Sequence, residues 1–268
     1  MRVAGFDENG LGPRLGPLVV TGVLLEVPSE SALLLSNHAG PVDDSKRIFR
    51  RDPGSYARGE AIALAILRSA GIEPKDTDEL RESLGLPEDL PMPGRGLPVW
   101  CSCGNIPRLE YRILGIRTRA ISPAALNELN KFNRTVSCMI EMSLSLMPFE
   151  LCLLGKVGGR KFYGPFLWSA FGEDFTTIGE EPQESRYEAG GAKWRFAVDA
   201  DAIYLPVAMA SVVGKYIREL VMLELNARAG FSSPIPYCSG YPGDPRTQEL
   251  ARALSDQHPD PWSIQRER

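Results

Sequence analysis

The sequence predicts an α/β fold, and three observations predict it. A strand, a glycine-punctuated turn and a second strand open the chain. Strand and helix signals alternate through the rest of it. At 268 residues and 43% hydrophobic, the chain can bury the core that such a layered fold needs.

Val3 to Asp7 reads as a short buried strand ending on two adjacent carboxylates, Asp7 and Glu8. The turn Asn9-Gly10-Leu11-Gly12-Pro13 follows. Pro17 to Val27 is then an apolar, β-branched run that reads as the second strand. Ionised carboxylates at the end of an apolar strand are costly to desolvate unless a cation or donors compensate them, which suggests a divalent metal site. Asp, Asn and Gly are equally ordinary turn residues, so the residues alone leave turn and metal site both open.

Residues 28–45 read as loop. Lys46, Arg47, Arg50, Arg51 and Arg58 then concentrate positive charge just before a helix predicted over Ser55 to Ala70. Ser45 and Lys46 fit either a phosphate contact or a solvated basic turn. The Pro-, Gly- and acid-rich stretch 72–108 reads as an insertion packed on the side of the core. Tyr111 to Ala120 reads as a strand, and Ser122-Pro123 starts a helix expected to run to about Leu146. On such a helix Asn127, Asn130 and Asn133 share one face, read here as an exposed polar stripe. Glu150 to Lys156 is a central-strand candidate, followed by a Gly158-Gly159-Arg160 loop and a helix from Tyr163 to Gly172. Lys193 to Val198 reads as the last strand, ending at Asp199-Ala200-Asp201. Pro206 to Ala229 is the longest helix signal, and a short helix is expected from Pro245 to about Leu254. The whole reads as one domain over 1–268, with an insertion at 72–108 and a helical extension at 245–268.

Composition narrows the chemistry. A net charge of −4 argues against coating nucleic acid by bulk charge but leaves room for a local basic groove. The five cysteines are scattered, without disulfide or zinc spacing. The two histidines, His38 and His258, fall in a loop and near the C-terminus, so a buried histidine base is disfavoured and any catalysis runs on carboxylates and metal. No run approaches 18 apolar residues and no secretory leader is visible, so the expectation is a soluble cytoplasmic monomer with no membrane association.

The run Asp7-Glu8-Asn9-Gly10-Leu11-Gly12-Pro13, continued by Gly16-Pro17, resembles the N-terminal signature of the type 2 ribonucleases H (ribonucleases HII and HIII). Asp44-Ser45-Lys46 resembles the tripeptide that follows strand 2 there. Ala210-Ser211 with Lys215 resembles a later signature that places the family aspartate on Asp201, with Asp199 the choice if the register slips by two. Gly240-Tyr241 resembles the family's Gly-Tyr turn. As residues, Asp201 also suits a helix cap, and Tyr241 suits either stacking on a sugar or base or anchoring a loop.

The resemblance implies a ribonuclease H-like fold, a mixed β-sheet flanked by helices, and an endonuclease that hydrolyses the RNA strand of RNA·DNA hybrids or cuts ribonucleotide-containing DNA. It implies Asp7, Glu8 and Asp201 as catalytic ligands of Mg²⁺ or Mn²⁺, and Gly10, Leu11, Gly12, Ser45, Lys46 and Tyr241 as substrate contacts. Glu8 directly follows Asp7, so on a regular strand it points to the opposite face and contributes only where the strand breaks. Two positions depart from the pattern: Gly155 stands where the third carboxylate belongs, and Leu11 where ribonuclease HII has arginine. They define an alternative, a non-catalytic nucleic-acid-binding paralogue with a degraded metal site. An unrelated α/β enzyme with a turn acid pair is the remaining reading.

Overall fold

The computed structural model describes residues 1–128, 130–257 and 260–266, without the side chains of Asp256 and Gln257; His258 lies outside the described residues. Its frame is a seven-stranded mixed sheet in the order β3-β2-β1-β4-β7-β6-β5. The strands are β1 (Arg2–Asn9), β2 (Leu18–Glu26), β3 (Arg112–Ile121), β4 (Leu151–Gly155), β5 (Phe175–Glu180), β6 (Glu184–Ala189) and β7 (Ala192–Ala197). β1, β2 and β3 form an antiparallel meander. β4 then lies parallel to both β1 and β7, which places their C-terminal ends side by side.

β5 and β6 are strands that the sequence reading passed over. They continue β7 as antiparallel neighbours, and β5 faces solvent at the sheet edge with alternation too weak to signal it.

Side chains alternate between two cores. On one face, Val3, Val19, Val23 and Leu153 pack under α8 (Leu205–Arg228), with α2 (Pro53–Ser69) across it. On the other, Ala4, Phe6, Val20 and Leu154 pack under α5 (Lys131–Leu144) and α6 (Gly164–Phe171). Gly5 lets α8 come close: a Cβ there would stand 2.4 Å from the Pro206 backbone. α8 is buried nearly all round, because the sheet, α2 and α9 (Arg246–Gln257) enclose it, rather than on one side.

Helix starts follow their chemistry. Asp52 caps α2 by accepting the Ser55 amide, with Pro53 in the first turn. The helix expected from Ser122 to Leu146 is instead two, α4 (Pro123–Asn127) and α5. Asn130 caps α5 by accepting the Asn133 amide at 3.2 Å, and Asn127 donates to the Gln265 carbonyl, so the three asparagines form no common stripe. The 72–108 segment carries a short helix, α3 (Thr77–Ser83), and sends Leu80, Leu84, Leu90 and Met92 into the first core. Buried Glu60 fastens it by accepting the amides of Val99, Trp100 and Cys101. Among the described residues no helix is long and apolar enough to cross a membrane.

Candidate active site

The adjacent C-terminal ends of β1 and β4, together with the turn after β7, open onto one cavity. Asp7, Glu8 and Asp201 all line it, although 193 residues separate Glu8 from Asp201 in the chain. Asp201 is carried on α7 (Ala200–Ile203), a single turn entered through Asp199 in the left-handed conformation at φ 51°. The capping position therefore belongs to Asp199, whose side chain makes no cap hydrogen bond. Asp201, two residues on, is buried in the cavity wall.

β1 stays in register with β2 through Asn9↔Val19, so no break turns Glu8 round. Asp7 looks toward α8, where Ser211 hydrogen-bonds its carboxyl, while Glu8 looks to the other face near Tyr163. The two meet nonetheless at the end of β4, because Gly155 has no side chain to part them. A Cβ on Gly155 would lie 3.2 Å from Asp7 Oδ1 and 3.8 Å from Glu8 Oε2. The expectation that Glu8 needs a broken strand is thus corrected: a missing side chain next door does the same work.

The electrostatics follow from crowding. Burial first, and then the Asp201 charge, push the Asp7 carboxyl up to about 7. Burial and Asp7 raise Glu8 well above the usual carboxylate range. Lys46 is the nearby cation, with its ammonium 3.5 Å from Asp201 Oδ2 and its side chain largely exposed. Of the cations lining the cavity only Lys46 pairs with one of the three carboxyls, and their hard oxygens are the donors that Mg²⁺ or Mn²⁺ takes. The residues fit such an ion as an open site anchored by Asp7 and Asp201. Among the described residues, no three His, Cys, Asp or Glu side chains close around a point.

The expected substrate contacts divide. Gly10, Leu11, Gly12 and Tyr241 line the cavity; Tyr241 is 42% exposed and its ring faces the Arg218 guanidinium at 5.5 Å. Ser45, expected to reach a phosphate, instead turns inward. It is 2% exposed and shares a 2.9 Å hydrogen bond with Ser211, which makes it a support for Asp7 through Ser211. It stands at the start of α1 (Ser45–Ile48), capped by Asp44. Lys46 pairs with the acid cluster rather than standing free.

The cavity also holds Lys156, Lys215 and Arg218, of which sequence reading assigned a role to none. Lys215 is held at 2.7 Å by buried Glu219, which also accepts from Tyr56. The signal for this group is the charged run Lys215–Glu219 inside an otherwise apolar helix.

Residues 173–266 match the family model for ribonuclease HII. Ribonuclease HII of Methanothermobacter thermautotrophicus is 27% identical over 97% of this chain and 93% of its own length. The chain is similar to ribonuclease HII over nearly its whole length. Ribonuclease HII of Sulfurisphaera tokodaii is 23% identical over 98% of this chain and 90% of its own. The ribonuclease H2 structure from Pyrococcus horikoshii shares the fold at a TM-score of 0.54, with 19% identity over 99% of this chain and 92% of that one. A chain in the structure of the PCNA:RNase HII complex from Archaeoglobus fulgidus does so at 0.52, with 22% identity, covering 100% of this chain and 95% of that one. Gly155 and Leu11, the two positions that depart from the expected pattern, both line this cavity.

Proposed function

We propose that the chain is a divalent-cation-dependent endonuclease that hydrolyses the RNA strand of RNA·DNA hybrids. The observation that carries this reading is the meeting of Asp7, Glu8 and Asp201 in one cavity with the glycine turn and Tyr241. The similarity to ribonucleases HII supports it, and neither the cavity nor the relatives favour the binding-only paralogue.

Asp7 and Asp201 would hold the cation, with Glu8 on the opposite rim. When bound, Mg²⁺ or Mn²⁺ supplies Lewis acidity at the scissile phosphate and lowers the pKa of an attacking water. The chain's own residues do the rest. The Ser45–Ser211 pair fixes the Asp7 carboxyl, Lys46 balances Asp201, and Tyr241 offers a ring for a sugar. The 3′-oxygen leaves as water adds to phosphorus.

A hybrid labelled on its RNA strand, incubated with Mg²⁺ or Mn²⁺, is the test. Cleavage of that strand alone is expected, with Asp7→Asn and Asp201→Asn each losing at least about 10²-fold. No cutting at enzyme equal to substrate, with either ion, overturns the reading.

A further inference from the structure

The glycine turn is held from behind by a residue 250 positions away from Gly16. Arg266, 4% exposed, donates through its guanidinium to the carbonyls of Gly10, Leu11 and Gly16. Its backbone amide donates to Arg14 O at 2.8 Å. The segment that carries it is itself fastened. Asn127 Nδ2 donates to Gln265 O at 2.9 Å, Ala124 N donates to Pro261 O, and Arg228 pairs with Asp260 at 3.2 Å.

Geometry gives the consequence. A trans peptide unit points its C=O and its N–H in opposite directions. Drawing the Gly10 and Leu11 carbonyls onto a guanidinium behind the turn therefore turns the Leu11 and Gly12 amides toward the cavity, which Gly10, Leu11 and Gly12 line. Among the described residues neither amide meets a protein acceptor. Gly10 makes the arrangement possible: its φ is 94°, and a Cβ would stand 2.7 Å from Arg218 Nε.

Charge points the same way. Arg218 is fully buried beside the turn and donates to Leu15 O and Ser239 O; its charge is felt at Arg266, and burial and then the Arg266 charge lower the Lys131 pKa. Burial and then Arg218 bring the Arg266 pKa down to about 9, and among the described residues the Nε atoms of both arginines meet no hydrogen-bond partner. Glu219, its carboxylate 3.5 Å from the Arg218 guanidinium, offsets part of the cost of this cluster, and a bound anion would offset more. Leu11 puts no guanidinium on the outer side of the turn, so the positive charge sits behind it.

We propose that Arg266 is a positioning residue that aims the Leu11 and Gly12 amides at a phosphate or ribose oxygen of the substrate, in place of a side-chain contact from position 11. This rests on the hybrid-cleaving reading above.

The test uses the full-length chain as Arg266→Gln and Arg266→Lys. Steady-state hybrid cleavage, Mn²⁺ binding by calorimetry and amide hydrogen exchange over residues 10–16 are measured for each. Arg266→Gln is expected to raise KM on the order of tenfold, the loss of one or two amide hydrogen bonds, with kcat within about twofold. Mn²⁺ affinity stays at the wild-type value, and exchange accelerates at Leu11 and Gly12 ahead of the sheet. Lysine, which keeps the charge but loses the fork, recovers part of KM. Unchanged KM and unchanged turn exchange in Arg266→Gln overturn the proposal, as does a fall in kcat and Mn²⁺ affinity together, which marks a merely structural role. If the wild-type chain cuts no hybrid, the function reading fails and the exchange measurement still decides whether Arg266 sets the turn.

Discussion

At Gly155 the absence of a side chain is itself a structural element, since it lets carboxylates from opposite faces of β1 share one opening. Gly155→Asp adds a fourth acid at contact distance from Asp7. Without metal it is expected to destabilise by roughly 1–3 kcal/mol, through crowding and like charge. With Mn²⁺ present the loss reverses and ion affinity rises, as calorimetry and thermal melts in EDTA and Mn²⁺ check. Asp7 carries a pH prediction. Its folded pKa, about 7, lies above the unfolded 3.8, so its contribution to stability is full below about pH 4 and is lost as pH rises through 7. The metal-free Tm should therefore fall from pH 5 to pH 8, and Asp7→Asn should flatten that fall. Divalent cation should raise Tm at pH 8 far more than at pH 5, because proton and ion compete for the same oxygens. The Asp7-Glu8 and Gly-Leu-Gly run was legible in sequence. That Ser45 serves Asp7 rather than substrate was not, because a hydroxyl's partner is chosen by which helix packs against it.

Among the elements, α8 couples the sheet to the site. It packs on β1 through Gly5, presents Ser211 to Asp7, and carries Lys215 and Arg218 to the cavity wall. Gly5→Ala would push a Cβ to 2.4 Å from backbone that cannot rotate aside, and is expected to cost about 3 kcal/mol or more in chemical denaturation. Glu60→Gln tests the 72–108 segment. A neutral amide cannot accept the Val99, Trp100 and Cys101 amides together with the Tyr216 hydroxyl, so about 2 kcal/mol should be lost, with proteolysis accelerating within 72–108 first. The strands β1–β4 and β7 and the long helices announced themselves by apolar runs. β5 and β6 did not, because an edge hairpin draws its register from its neighbour β7.

For the whole molecule, a net charge of −4 means that binding of a polyanion must rest on local cations. Lys46, Lys156 and Lys215 around the cavity predict a shallow salt dependence, with log K against log salt falling at a slope of roughly −2 to −4. A slope of −8 or steeper in filter-binding would show a basic surface elsewhere to be the contact. The sequence alone determined the α/β class and the acid pair at the end of β1, because periodicity and a contiguous motif are local properties. Resemblance added the distant aspartate. Only the tertiary structure decided that Glu8 reaches the cavity past Gly155, that Ser45 turns inward, and that Arg266 stands behind the glycine turn. These contacts join residues up to 256 positions apart. No local pattern encodes such a meeting; it follows from how the parallel strands bring their ends together and how the closing segment packs beneath them.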